Sequence, residues 1–316
     1  MRTNKILVLN GGFNEEHEIS LKTSNEVIKS LKKLKLHYKI LTVNPSTFKR
    51  EIINFPREYI CFNALHGPFG EDGQIQKILK KNGFRVTHSN ANSSSNCFDK
   101  HKSKKIIKKT KILTPEFKIL NLINLNSDIL KKFKTKFKKF VIKPINSGSS
   151  NGLAIIKTNK DLDEYCSQLT HYKKKHNKVK KILIEKYING KELTVSVFKR
   201  KNKLEALDVT EIISFNKIYD YQAKYTSGFS KHHLPARISK KNYNTCLDYA
   251  LKIHKLFKCN TLSRVDFIFE KSTNKIYFLE INSQPGMTYL SLLPEQAKFN
   301  KIKFEDLILS LINNSK

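Results

Sequence analysis

The densest group of chemistry-bearing residues lies in SRVDFIFEKSTNKIYFLEINSQPG, residues 263–286. Apolar and polar residues alternate on both sides of the turn-like STN at 272–274, the pattern of an antiparallel hairpin. With the turn centred on Thr273, Asp266 faces Glu280 and Arg264 faces Asn282. Side-chain alternation puts these four on one face and Val265, Phe267, Leu279 and Ile281 on the other. Two opposed carboxylates repel unless a cation joins them. Two carboxylates and an amide oxygen are hard ligands that suit magnesium together with phosphate oxygens. A surface hairpin with one ordinary ion pair, Arg264 with Asp266 or Glu280, is the plainer alternative. The sorting of polar groups onto one face favours the metal.

Four loops could serve such a centre. In KPINSGSSNG, residues 143–152, small side chains let backbone N–H groups approach a phosphate, serine hydroxyls add donors, and Lys143 supplies a point charge. The segment lacks the GK[ST] ending and following helix of a Walker A loop, and a flexible hairpin loop explains it equally well. In IEKYINGKELTV, residues 184–195, Glu185 and Glu192 flank a turn near Asn189 and Gly190. They offer acceptors for an adenine amino group or ribose hydroxyls, or are simply exposed glutamates. NGGFNEEHEIS, residues 10–20, follows the first strand, at the edge where open α/β sheets bind ligands. It has neither GxGxxG nor HExxH spacing, and its charges could merely cap a helix. HGPFGEDGQIQ, residues 66–76, holds three of the chain's 11 glycines. His66 can face the site, Glu71 can orient it or attract an ammonium group, and Asp72 can cap the helix that follows.

The elements that must position these loops follow from periodicity. The first hundred residues alternate strand and helix: strands at 5–10, 36–43, 58–65 and 84–87, helices at 20–34, with Ser20 as N-cap, and at 74–81. This is a βαβ-type, mainly parallel sheet in an α/β chain. A polar stretch, 89–96, marks a boundary. A helix begins near 99–109, strands follow at 117–120, 139–143, 153–157 and 182–187, and helices lie near 127–133 and 162–169. From Glu192 strands dominate, with helices near 242–257 and 304–312.

At 316 residues the chain is long for one core, so two or three domains are expected. No run approaches ~18 apolar residues, and the first strand is too short for a signal peptide, so no membrane role and a cytoplasmic location are expected. The five widely spaced cysteines read as reduced thiols. A net charge of +33 raises nucleic-acid binding. Lysine, not arginine, supplies nearly all of it, however, and base readers use arginine for bidentate contacts. The lysine runs at 100–111, 131–139 and 173–181 therefore read as solvated faces, and no nucleic-acid partner is expected.

Taken together, HGPFGEDGQIQ, RVDFIF…LEINSQPG, NGGFNEEHEIS, KPINSGSSNG, IEKYINGKELTV and YDYQAKY (219–225) resemble, in order and spacing, the signatures of the D-alanine–D-alanine ligase family of the ATP-grasp superfamily. The chain departs from the usual pattern at Lys77, Thr261, Gln284, Tyr289 and Leu290. The resemblance implies an N-terminal α/β domain (1–98), a central small ATP-grasp domain (99–186) and a C-terminal ATP-grasp domain with the metal site (187–316). It implies ATP and two magnesium ions, with manganese as a substitute, and a homodimer. Lys100 and Lys143 would contact phosphates or the adenine edge. Glu185, Lys186 and Ile188 would hold adenine, and Glu192 the ribose. Ser150 and Lys224 would cover the phosphates. Asp266, Glu280 and Asn282 would bind the metals. Glu16, Ser149 and Tyr225 would form a hydrogen-bonded set, with Glu16 taking the first ammonium group. His66 would contact the acyl phosphate or position the incoming amine, with Glu71 beside it. Arg264 and the N–H of Gly286 would stabilise the oxyanion, and Ser291 and Leu292 would meet the second carboxylate. Another ATP-grasp carboxylate–amine ligase is the nearest alternative.

Overall fold

The computed structural model describes residues 4–214 and 229–316. Three sheets carry the fold. The first is parallel, in the order β2 (Tyr38–Val43), β1 (Ile6–Gly11), β3 (Ile60–Asn63), β4 (Arg85–Val86). Successive β1 side chains point to opposite faces. Ile6 and Val8 join one buried cluster, and Leu7 and Leu9 join another. The first cluster also holds Phe198, Leu262, Leu307 and Leu311, so this sheet shares a core with the C-terminal third of the chain. Lys316 pairs with Val86 through both backbone groups and extends the sheet's edge.

The second sheet is antiparallel, in the order β5 (Phe117–Asn121), β8 (Lys181–Lys186), β6 (Phe140–Pro144), β7 (Ala154–Ile156). Helix Ser127–Phe137 covers it through Leu130 and Phe137. The third is antiparallel, in the order β11 (Ser230–His233), β10 (Lys203–Ser214), β9 (Lys191–Arg200), β12 (Leu262–Glu270), β13 (Lys275–Asn282). One face of it packs Val195, Val265, Phe267 and Ile281 against Ala250 and Ile253 of helix Lys240–Leu256. The mixed α/β architecture and the parallel N-terminal sheet agree with the sequence reading.

Two local expectations, on Ser20 and Leu279, are corrected, and two polar segments prove helical. Ser20 is not an N-cap; it lies inside helix His17–Lys33, and its Oγ accepts the Gly11 N–H at 2.9 Å. The polar stretch 89–96 is largely helical (Ala91–Phe98), capped by Asn90, with Ser93 and Ser94 buried. Part of the third lysine run is helical as well, Leu169–Lys175. Lastly, a β-bulge leaves Leu279 unpaired between Glu280, opposite Asp266, and Phe278, opposite Phe267. Phe278 takes the buried place expected of Leu279, which instead lines a cavity on the polar face.

Because Phe267 is fully buried between the hairpin and the Lys240–Leu256 helix, Phe267→Ala is expected to cost about 3–5 kcal/mol, read by urea denaturation.

Candidate active site

The hairpin register places the site. Asp266 stands opposite Glu280, and Arg264 opposite Asn282, as the sequence arithmetic has it. On the neighbouring strand β9, Thr194 lies beside Asp266 and donates its hydroxyl to Asp266 Oδ1 at 2.6 Å. Arg264 grips the same carboxylate at two points, Nε to Oδ1 at 2.9 Å and Nη2 to Oδ2 at 2.8 Å. Glu280 has Lys100 Nζ at 3.4 Å. Asn282 Oδ1 accepts the Gln284 N–H at 2.7 Å. Two carboxylates and an amide share one strand-pair face, and each carboxylate has a cation beside it. This hard, anionic donor set fits a magnesium ion.

Two joined chambers open on this face. One is lined by Lys143, Ser150, Glu192, Asp266, Leu279 and Leu292, the other by Glu16, His66, Glu71, Asn282, Ser283 and Gly286. Lys100, Gly148, Ser149, Arg264 and Glu280 line both. Lys100 begins helix Lys100–Ile107, whose N-cap is Asp99. Its Nζ donates to the Ser147 oxygen at 2.6 Å, tying the 144–152 loop to β13.

That loop reaches across to the segment that follows β1. Ser149 Oγ donates to Glu16, and Asn151 donates to Glu15. A Cβ on Gly67 would stand 2.4 Å from Glu16 Oε2, and one on Gly148 2.8 Å. A side chain at either position would push this carboxylate out of its place. His66 is buried, with Nδ1 3.0 Å from Glu71 Oε1 and Nε2 2.9 Å from Thr23 Oγ1. Asp72 accepts the N–H groups of Phe69 and Gln74, so it steadies the turn before helix Gln74–Lys81.

Other expected residues are placed differently. Glu185 is not an open acceptor: it is buried beneath the chambers, with Lys143 Nζ at 2.5 Å from one oxygen and Lys104 Nζ at 2.7 Å from the other. Burial opposes its charge, but the two lysines outweigh it and hold its pKa below the usual range. Burial likewise opposes the Lys143 ammonium, and Glu185, Glu280 and Glu192 outweigh it and raise its pKa. Lys186 is exposed at the end of β8 and Ile188 is buried beyond it; neither lines a chamber. Ser291 Oγ accepts the Thr288 N–H at 3.1 Å and crowds Gly286, while Leu292 lines the Lys143 chamber. Lys224 and Tyr225 lie outside the described residues.

The reading of the first lysine run as a solvated face fails at Lys100 and Lys104, both buried. Their i,i+4 spacing on one helix was the available signal. Gln296 was also missed. It fills the irregularity between β9 and β10, accepting the Ser196 N–H at 2.8 Å and donating to the Thr194 oxygen and Thr210 Oγ1. A further residue, Gln284, donates to the Leu65 oxygen at 2.5 Å and accepts from Asn63 at 2.8 Å, binding the end of the β12–β13 hairpin to the His66 loop.

This geometry has counterparts among known proteins. A family model described as the D-ala D-ala ligase C-terminus matches residues 106–313. The D-alanine–D-alanine ligase of Bacillus anthracis, solved in complex with ATP, superposes with a TM-score of 0.79 at 30% identity, covering 99% of this chain and 97% of that one. Fold and site together define an ATP-dependent ligase with the ATP-grasp fold. Curated D-alanine–D-alanine ligases are similar along nearly the whole chain. That of Pelagibacter ubique is 41% identical over 310 residues, covering 97% of this chain and 96% of its own. That of Wolbachia pipientis wMel is 38% identical over 311 residues, covering 98% and 94%. The chain belongs to the D-alanine–D-alanine ligase family.

The contact between Gly148 and Glu16 yields a test. Gly148→Ala is expected to lower kcat/KM of the ligase reaction by roughly 10–100-fold through displacement of Glu16, with the melting temperature little changed.

Proposed function

We propose that the protein uses ATP to join two D-alanine molecules into D-alanyl-D-alanine, a peptidoglycan precursor. The observation that carries this is the pair of joined chambers. Lysines line one, the buried Glu16 and His66 line the other, and Lys100, Arg264 and Glu280 stand at the junction. ATP would lie in the first with its γ-phosphate at the junction, and the amino acids in the second.

In the first step the carboxylate of one D-alanine attacks the γ-phosphorus, and ADP leaves an acyl phosphate behind. Glu16, held by Ser149 and with Tyr225 as the third member of the set, takes that alanine's ammonium group. Lys100, Lys143, Ser150 and Lys224 hold the phosphates, and Glu192 the ribose. Glu185 acts through Lys143, with the segment through Lys186 and Ile188 beside the adenine. Asp266, Glu280 and Asn282 would hold magnesium, two ions by the family resemblance, and manganese could substitute. Bound there, the metal supplies neutralisation of the phosphoryl charge.

In the second step the amine of another D-alanine attacks the acyl carbon, and inorganic phosphate departs. Arg264 and the Gly286 N–H face the developing oxyanion. The His66–Glu71 pair positions the incoming amine, and Ser291, packed against Gly286, meets its carboxylate, while Leu292 lies on the Lys143 side of the junction. A cytoplasmic homodimer without nucleic-acid partners completes the reading. Among the described residues no helix is long and apolar enough to cross a membrane.

ADP release on adding D-alanine to protein, ATP and magnesium tests the reading, and no stimulation by D-alanine would overturn it. Glu280→Ala is expected to abolish turnover in a folded protein; near-normal activity would refute the metal assignment. The tyrosine at position 225, where ester-forming relatives commonly carry phenylalanine, leads us to expect D-alanine to be preferred over D-lactate as acceptor at neutral pH. Competition between the two acceptors measures this.

A further inference from the structure

Lys104 lines neither chamber, yet its side chain is 0% exposed. Its Nζ lies 2.7 Å from Glu185 Oε2, donates to Thr114 Oγ1 at 2.7 Å, and stands 5.5 Å from the centroid of the Phe117 ring. Thr114 Oγ1 donates in turn to the backbone oxygen of Phe278 at 3.0 Å, on the strand that carries Glu280. The other oxygen of Glu185 takes Lys143 Nζ at 2.5 Å, and Lys143 is the member of the group that reaches the nucleotide-side chamber. A chain of polar contacts thus runs from β13 through the interior to the chamber wall. It joins the second sheet, which carries Glu185 and Lys143, to the third.

The charges explain why the chain has two lysines and one acid. Glu185 alone would cancel Lys143, and this part of the wall would offer an anionic ligand no net charge. With Lys104 present, the group of three keeps one net positive charge, and Lys143 is its only member at the cavity surface. Water cannot replace Lys104 in this role, because the site is sealed from solvent.

We propose that Lys104 is a positioning residue for nucleotide binding. It neutralises Glu185 so that Lys143 presents its charge to the phosphates of ATP, and it anchors Glu185 to Thr114 and β13. This rests on the reading of the Lys143 chamber as the ATP site. Burial lowers the Lys104 pKa to about 8 despite the pull of Glu185, so the ammonium form fades just above neutral pH. The groups that face it are Glu185 on β8, Lys143 on β6, Glu280 on β13 and the Phe117 ring on β5.

Calorimetric titration of the full-length protein with ATP, alongside steady-state kinetics, tests the proposal. Lys104→Met is expected to weaken ATP binding and raise its KM by at least about 10-fold, with the KM for D-alanine within about twofold of the parent. Adding Glu185→Gln to that variant is expected to restore most of the ATP affinity, since Lys143 then has no acid to neutralise. In the unmodified protein, ATP affinity is expected to fall as pH rises through about 8, and Lys104→Arg, which stays charged, to flatten that profile. A folded Lys104→Met with parental ATP affinity, a double variant as weak as the single, or a flat profile in the unmodified protein would each overturn the proposal. Should Lys104→Met fail to fold, the pH profile and the double variant decide. A protein that binds ATP without D-alanine-dependent turnover would instead count against the ligase reading, while the binding titrations still judge Lys104.

Discussion

Everything in the site depends on holding like charges together. Asp266 and Glu280 face each other across a strand pair, a placement that repulsion disfavours. The fold answers with a cation for each: Arg264 against Asp266, and Lys100 against Glu280. It answers the buried Glu185 in the same way, with Lys104 and Lys143. The carboxylates are thereby set in place before any substrate arrives, and so are the cations beside them. Preorganised charge of this kind is the largest contribution such a site makes to phosphoryl and acyl transfer.

A second constraint is closeness of backbone. Glu16 is enclosed by two loops distant in sequence, and a side chain at either Gly67 or Gly148 would press on it. Both positions fall among the chain's 11 glycines. The Ser149 hydroxyl completes the enclosure, and Lys100 joins the same loop to β13. One loop therefore couples Glu16, Lys100 and the β12–β13 hairpin.

Much of this was legible in the sequence. A strand's period of two and a recognisable turn suffice to set cross-strand partners, so the pairing of Asp266 with Glu280 and of Arg264 with Asn282 could be counted off. The arithmetic stopped at the bulge. An extra residue on one strand obeys no local rule, and Leu279 moved from the core side to the cavity because of it. Helix Gln74–Lys81 and the parallel N-terminal sheet were legible for the same reason, since both rest on local periodicity.

By itself, the sequence determined the α/β order of elements, the hairpin register beside the site, and the family through motifs whose joint spacing is specific. Only the tertiary structure decided which lysines are exposed and which are buried. Composition treats Lys104 and Lys105 alike, yet one is sealed against Glu185 and the other faces water. It also decided that Glu185 serves lysines rather than an open pocket, and that Gln296 and Gln284 bind one part of the site to another. The physical reason is common to all three. The state of a charged or polar side chain is set by partners distant in sequence and by the solvent they exclude, and neither is written in its neighbours along the chain.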